Sequence, residues 1–382
     1  MALVCRACLY LSGASVLCLV GFWIGGRLAG CRAAAVACPV FLAIGLTRVP
    51  SLRGYRYTVC IIAAVVAAMV YPQPFRVLGG AGLSQEDRKL LILVVIQVVM
   101  FGMGTQMSPR DFLGVVKMPN AVIIGIACQF TIMPLVGLTL ARTFGFPPEI
   151  GAGIILIGSC SSGLASNVMT YLAGANLALS VSLTALAQLL APVMTPLWMK
   201  LLASEMVEVR FLGMMKEIAL MVLLPIMAAL IYNWIRRDRL KRLHRLMPLL
   251  SMAGIIYFTA ITTAAGREDL LKIGVLLFLA ALLHNTVGYL LGYWAARLSG
   301  LDQESCRTIA IEVGLQNGGM ASGLAGRMDK LATVGLAPAI FSPWMNVSGS
   351  VLANYWRKHK AEPATVDVDV ENTLVSKEGS IA

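Results

Sequence analysis

Charged side chains are scarce. They make up 13% of the 382 residues, about half the ~25% of an ordinary soluble domain, which excludes that class. Histidine occurs three times, at His244, His284 and His359, far apart and without metal-ligand spacing, so no histidine-built metal site is indicated. The serine-rich string Gly158-Ser159-Cys160-Ser161-Ser162-Gly163 is not a Gly-x-Ser-x-Gly elbow, which removes the main hint of a serine hydrolase. A disulfide framework is missing too. The nine cysteines (Cys5, Cys8, Cys18, Cys31, Cys38, Cys60, Cys128, Cys160, Cys306) lie mostly inside apolar stretches and read as small buried residues, with Cys5-x-x-Cys8 incidental.

What is present is hydrocarbon. Hydrophobic residues account for 58% of the chain, and the mean hydropathy is +0.79. That supply suffices for about ten to twelve helices of the ~20 residues needed to cross a bilayer. Apolar runs fall at 57–75, 90–107, 119–143, 150–173, 176–203, 213–235, 247–265, 271–297, 305–327 and 331–356, with two further segments at 3–26 and 33–47. Leu28-Ala29-Gly30-Cys31 has the look of a lipoprotein cleavage box, but Arg27 abuts it and a long membrane domain follows, so a membrane segment is expected there rather than a removed signal.

The net charge, 31 − 19 = +12, sits between the apolar runs, where it orients helices and does not indicate nucleic acid. Arg236, Arg237, Arg239, Lys241, Arg242 and Arg245 crowd one short loop, which the positive-inside rule assigns to the cytoplasm. Alternation then puts Arg48, Arg53 and Arg56, Arg110 and Lys117, and Arg357, Lys358 and Lys360 on the same side, while the counterpart loop 266–272 is nearly neutral. Residues 361–382, with Glu362, Asp367, Asp369, Glu371 and Glu378 and little apolar content, read as a disordered tail.

The chain also echoes itself. Gly163-Leu164-Ala165-Ser166-Asn167 resembles the later Gly314-Leu315-Gln316-Asn317-Gly318-Gly319-Met320-Ala321-Ser322, and each precedes a helix with internal prolines, Pro192 and Pro196 or Pro338 and Pro343. Five helices per half would invert the second copy in the membrane. Interrupted helices at matching positions of such repeats point to a transporter's midplane site.

A few polar residues break the membrane pattern. Glu312 sits in the middle of the run 305–327 with no Lys or Arg within a helical turn, Arg307 being five residues away. A charge at the bilayer centre costs roughly 2.5–3.5 kcal/mol on insertion scales, so its partner is remote, a proton or a metal cation. The plain alternative is a structural carboxyl satisfied by hydrogen bonds. Gly158 to Asn167 is dense in glycine and serine, which permits either an unwound segment lining a cavity or close helix packing. Ser166 and Asn167, with Ser180 and Thr184 spaced to share a face of the next helix, could join a carboxylate in an all-oxygen shell suited to a hard cation such as Na⁺. Gln129 is a third intramembrane polar residue, and His284-Asn285 reads as helix-to-helix hydrogen bonding.

Thr308-Ile309-Ala310-Ile311-Glu312-Val313-Gly314-Leu315-Gln316-Asn317, Ala165 to Leu172, and Asn176 to Thr184 resemble signatures of the bile acid:sodium symporter (BASS, or SBF) family, and Phe101 to Gly104 and Phe341 to Ser350 agree. The resemblance covers roughly 57–357. It implies an all-α membrane protein, a ten-helix inverted repeat (5+5) with panel and core domains and crossed interrupted helices at the midplane. The repeats would span about 57–203 and 213–357, with the hydrophobic segments of 1–56 outside that pattern and 358–382 as a cytoplasmic tail.

By the same resemblance, a first sodium site would fall on Ser166, Asn167, Ser180, Thr184 and Glu312. A second would fall on Gln129, Glu312, Val313, Leu315 and Gln316, using the backbone carbonyls of Val313 and Leu315. Asn317, Gly163, Leu164 and Asn346 would meet substrate. One departure stands out: Cys160-Ser161-Ser162-Gly163 replaces a Cys-Pro-Gly-Gly common among relatives, which leaves that loop's substrate contacts open. The implied activity is symport of a small organic anion with sodium, the ion being cargo and not a prosthetic group. A bacterial inner membrane is the expected location. Proton coupling on the same fold is the nearest rival, and a channel or sensor a more distant one.

Overall fold

Apart from one isolated antiparallel bridge, all regular structure among the described residues is helical. The structure is a computed structural model, describing residues 2–24, 28–46, 56–108, 111, 113–235 and 241–359. Arg48, Arg53, Arg110, Arg236, Arg237, Arg239, Lys360 and the 361–382 segment, on which part of the orientation and tail reading rests, lie outside the described residues.

Two helices, α1 (Ala2–Ile24) and α2 (Leu28–Gly45), form an N-terminal hairpin. Small residues set their spacing: a methyl group added to Gly45 would lie 2.5 Å from the Leu9 side chain, and Ser12 donates to the Cys38 carbonyl at 3.0 Å. The apolar run at 57–75 is not one straight helix. α3 (Arg56–Val70) stops at Tyr71 and α4 (Pro72–Leu78) leaves at 107°, because Pro72 brings no N–H to continue the ladder.

α5 (Gln85–Gly104) starts at Ser84, whose hydroxyl accepts from the Asp87 N–H, the expected use of serine at an N-cap. The short α6 (Leu113–Lys117) leads to α7 (Pro119–Thr143). A broken pair follows, α8 (Pro148–Ser159) and α9 (Leu164–Ala173), the latter closed by Gly174 at φ 64°, a left-handed cap suited to glycine. α10 (Leu177–Leu202) is capped by Asn176.

In the second half, α11 (Phe211–Ile218) passes through a π-helical turn at Ala219–Leu223 into α12 (Leu224–Ile235). Pro225 explains the widened turn, since its ring clashes with the carbonyl four residues back. α13 (Lys241–Ala265) and α14 (Arg267–Leu298) precede a second broken pair, α15 (Gln303–Gly314) and α16 (Gly318–Arg327), and the chain ends on α17 (Leu336–Lys358). The two interruptions therefore stand at corresponding places, between α7 and α10 and between α14 and α17.

Among the described residues, the helices long and apolar enough to cross a membrane unaided are α2, α7, α10, the α11–α12 unit and α14. Their outward residues are apolar, among them Val275, Leu290 and Trp294 of α14 and Leu201 of α10, as lipid-facing surfaces require. Inside, small residues bring helices together, which is how packing is achieved where lipid is as apolar as the protein. A methyl group on Gly158 of α8 would sit 2.5 Å from the Met133 carbonyl oxygen of α7, and one on Gly254 of α13 would sit 2.1 Å from Val99 of α5. His284 and Asn285 of α14 are fully buried and bond backbone carbonyls, Met133 at 2.8 Å and Gly314 at 2.7 Å, the helix-to-helix role expected of them.

Three ion pairs gather around the C-terminal end of α16. Arg327 of α16 reaches Glu217 of α11 through two hydrogen bonds, 2.7 and 2.8 Å, and donates to the Lys89 carbonyl of α5 at 3.0 Å. Asp329 accepts from Gln85 at 2.9 Å and pairs with Arg88 at 3.5 Å. Lys330 and Thr333 both bond Glu149.

Candidate functional site

Both broken helices unwind at the same place and meet there. Cys160 (φ −77°, ψ 161°), Gly163 (φ −131°, ψ −178°) and Leu315 (φ −107°, ψ 108°) are extended. The two stretches pair as a minimal antiparallel bridge, Ser162 with Gln316, and the Asn317 N–H donates to the Ser161 carbonyl at 2.8 Å. Backbone groups freed by unwinding are thus satisfied by each other, as a membrane interior demands.

Glu312 lies at the end of α15, in its last turn and not mid-helix, because the helix stops at Gly314. It is 2% exposed, and no salt bridge among the described residues involves it. Arg307 is turned to the far end of α17, donating to the His359 carbonyl at 2.7 Å and lying 5.7 Å over the Trp356 ring.

Hydroxyls surround the carboxylate instead. Ser180 donates to Oε1 at 2.5 Å and Ser162 to Oε2 at 2.5 Å, while Thr184 lies 3.2 and 3.0 Å from the two oxygens. Asn167 Oδ1 is 2.8 Å from Ser180 and 3.2 Å from Thr184, and Ser166 is 3.3 Å from Thr184. Ser166, Asn167, Ser180, Thr184 and Glu312 therefore form one cluster. Its proton balance is one-sided. Each hydroxyl brings one proton, whereas the carboxylate and the amide oxygen only accept, and Ser166 also lies 2.7 Å from the Gly163 carbonyl. Ser162, Ser180 and Thr184 thus converge on the Glu312 carboxylate, and no cationic side chain among the described residues pairs with it.

The second expected set is also brought together. Gln129 of α7 donates to the Cys160 carbonyl at 3.1 Å and to Gln316 Oε1 at 2.9 Å, and Gln316 donates to the Val313 carbonyl at 2.6 Å. The Gln129 Oε1 atom is buried with no hydrogen-bond partner, leaving an oxygen free on the side chain that bonds Gln316.

Of the expected substrate residues, Gly163 and Asn317 face each other: a methyl group on Gly163 would lie 3.8 Å from the Asn317 Cα and 3.8 Å from the Met103 Cε of α5. Asn317 caps α16 by accepting from the Met320 N–H at 3.0 Å, and its amide nitrogen lies 3.9 Å from Met100 Sδ. Leu164 opens α9 and is half-buried. Asn346 is buried in α17 and spends its amide on the Ser342 carbonyl at 2.7 Å, one turn back; no hydrogen bond among the described residues ties it to the crossing.

Ser162 is the participant that sequence reasoning left out. It stands in the very loop that departs from the common Cys-Pro-Gly-Gly, and a hydroxyl appearing at an unwound bend was the available signal.

The profile of the Sodium Bile acid symporter family matches residues 93–273, which takes in the first crossing stretch. An uncharacterized sodium-dependent transporter of Bacillus subtilis (strain 168), YocS, is 39% identical over 314 residues, covering 82% of this chain and 94% of that protein. A probable chloroplastic sodium/metabolite cotransporter of Arabidopsis thaliana, BASS1, is 33% identical over 70% of this chain and 66% of its own length. The human ileal sodium/bile acid cotransporter is 28% identical over 71% of this chain and 79% of its own. The chain belongs to the Sodium Bile acid symporter family, whose members are transporters and not enzymes.

Proposed function

We propose that this protein is a sodium-coupled symporter of a small organic anion, a carboxylate or sulfonate such as a bile acid, a pantoate-like acid or a 2-oxo acid, working by alternating access in a bacterial plasma membrane. The observation that carries the reading is the oxygen cluster on Glu312. A carboxylate buried without a cationic side chain needs a cation for neutrality, and an all-oxygen shell suits a hard one. Sodium is the cargo of this site, bound first at Ser166, Asn167, Ser180, Thr184 and Glu312. A second ion takes Gln129, Glu312, Gln316 and the carbonyls of Val313 and Leu315. The sodium-dependent names of the B. subtilis, plant and human relatives support the choice of ion.

The anion is recognised beside the crossing, where Gly163 and Asn317 face each other and Leu164 and Asn346 flank them. The N-terminal end of α9, which no side chain caps, carries roughly half a positive charge toward it. Two sodium ions travelling with one monovalent anion move one net charge, to which a 100 mV potential adds about 2.3 kcal/mol.

The architecture behind this reading is a ten-helix inverted repeat, α3 to α10 and α11 to α17. α3–α5 with α11–α13 make the panel, and α7–α10 with α14–α17 the core. Equivalent helices of the two repeats have unequal surroundings. α16 is buried along its length, whereas Val168 and Tyr171 of α9 are 53% and 69% exposed. The packing of α16 on α5, Gly323 against Ile96 and Gly326 against Ile92, supports reading this state as closed on the outer side.

The test is uptake into proteoliposomes. An inward sodium gradient should drive saturable, counterflow-competent accumulation of one member of an organic-anion panel, and potassium should not replace sodium. Accumulation driven by a pH gradient and indifferent to sodium would transfer the reading to proton coupling, and non-saturable flux would transfer it to a channel.

A further inference from the structure

Gln188 is 1% exposed, and both its amide atoms, Oε1 and Nε2, are buried without a hydrogen-bond partner. Among the described residues it is the one side chain with two such atoms. A buried amide is normally paired, so something outside the chain's own donors and acceptors belongs there.

Its place in the fold says what. α10 turns about 100° per residue, so Ser180, Thr184, Gln188 and Thr195 fall within about 40° of one another on successive steps and share one face. Both ends of that face are anchored. Ser180 and Thr184 bond Glu312, and Thr195 donates to the Ser159 carbonyl at 2.7 Å. Gln188 lies between them on that face, whose Thr195 end meets the carbonyl of Ser159, the last residue of α8. A helix C-terminus carries partial negative charge on its last carbonyls. Pro192, four residues beyond Gln188, has no N–H to give the Gln188 carbonyl, which adds one more oxygen.

Gln129 comes to the same level. Gly125 of α7 abuts Leu183 of α10, the two helices run parallel with a single broken pass between them, and four residues on stand Gln129 and Ala187. Gln129 shows how such a glutamine works, spending its Nε2 on the Cys160 carbonyl while its Oε1 has no partner.

We infer that Gln188, with its own carbonyl and the C-terminal end of α8, forms a further station for the sodium ion, one turn of α10 to the outer side of the Glu312 cluster, through which the ion reaches that cluster when the outer side opens. The donors offered are neutral oxygens, right for a weakly held hard monovalent cation in transit and wrong for a soft or multivalent one. The inference rests on the sodium-coupled reading above.

Full-length wild type, Gln188→Leu, Gln188→Met and Gln188→Glu are reconstituted and assayed for sodium-driven uptake across a range of sodium concentrations, with melting in KCl as the folding control. Leu and Met should melt no lower than wild type, since an unpaired amide has been removed, yet raise the sodium needed for half-maximal uptake at least fivefold. Glu, which restores an oxygen, should return it to within twofold of wild type. Half-saturation unchanged in Leu and Met, an equal rise in all three variants, or failure of both apolar variants to fold would each overturn the station. Wild type without any sodium dependence would instead defeat the symport reading itself.

Discussion

On the alternating-access reading proposed above, the ion pair between Arg327 and Glu217 latches the outer side of the crossing, and breaking it should open that side by a calculable amount. Arg327 is on α16 and Glu217 on α11, joined by two hydrogen bonds of 2.7 and 2.8 Å with side chains 15% and 34% exposed. Above the crossing, α16 packs on α5 through glycines, Gly323 against Ile96 and Gly326 against Ile92, so the pair ends a continuous seam. A hydrogen bond to a charged group contributes about 1.5–3 kcal/mol, and a bidentate arginine–carboxylate contact is at the stronger end. With Glu217 a third exposed, solvent screening brings the pair to about 1.5 kcal/mol, or roughly tenfold in the balance between outer-closed and outer-open states.

Glu217→Gln should shift that balance. The assay is alkylation of Met103→Cys, beside Gly163, by a membrane-impermeant thiol reagent added outside, quantified on the peptide so that native cysteines do not interfere. The rate should rise about tenfold in Glu217→Gln and return toward the parent value in the charge swap Glu217→Arg with Arg327→Glu. Equal rates in the parent and Glu217→Gln, or a swap as reactive as either single variant, would refute the latch.

Other consequences are as direct. Ser162→Ala removes one donor from Glu312 Oε2 and should change the half-saturating sodium concentration about three- to tenfold, with Ser162→Thr near wild type; sodium titrations of uptake decide it. Thr184→Ala, losing the hydroxyl within reach of both carboxylate oxygens, should raise half-saturation at least tenfold while substrate affinity at saturating sodium stays within threefold. Gly158→Ala forces a methyl group to 2.5 Å from the Met133 carbonyl and should lower the thermal midpoint in both NaCl and KCl, by an amount reflecting roughly 1–3 kcal/mol of overpacking; an unchanged midpoint would mean that α7 and α8 are not so tightly apposed.

Much of this was legible in the residues because the bilayer leaves few options. The runs at 119–143 and 213–235 match α7 and the α11–α12 unit closely, since twenty-odd apolar residues in lipid have no stable state but a helix. The glycine- and serine-rich string around 160 and the Glu312 to Asn317 string marked both unwound stretches. Where expectation and structure part, a specific local cause is visible. Pro72 bends what reads as a single run, and α13 begins at Lys241, before its apolar stretch, because a helix at the membrane edge accommodates charged residues in its first turns. Ser162 was hidden because nothing in its string sets it apart from Ser159 and Ser161. Arg327 and Glu217 are separated by more than a hundred residues of sequence, and nothing in either neighbourhood marks the other as its partner. Gln188 carries no mark in the sequence, because only the packing around it leaves both amide atoms unpaired.

The most direct test of the account is the thermal stability of the purified protein in detergent, titrated with NaCl against KCl, for wild type and Glu312→Ala. A ligand that binds only the folded state stabilises it by RT ln(1 + [L]/Kd), about 2.7 kcal/mol at a hundred times Kd. Sodium should raise the midpoint of wild type by a few degrees over potassium at equal ionic strength, and the difference should vanish in Glu312→Ala. Identical midpoints in the two salts for wild type, or a sodium-selective rise that survives in the variant, would contradict a sodium site built on Glu312.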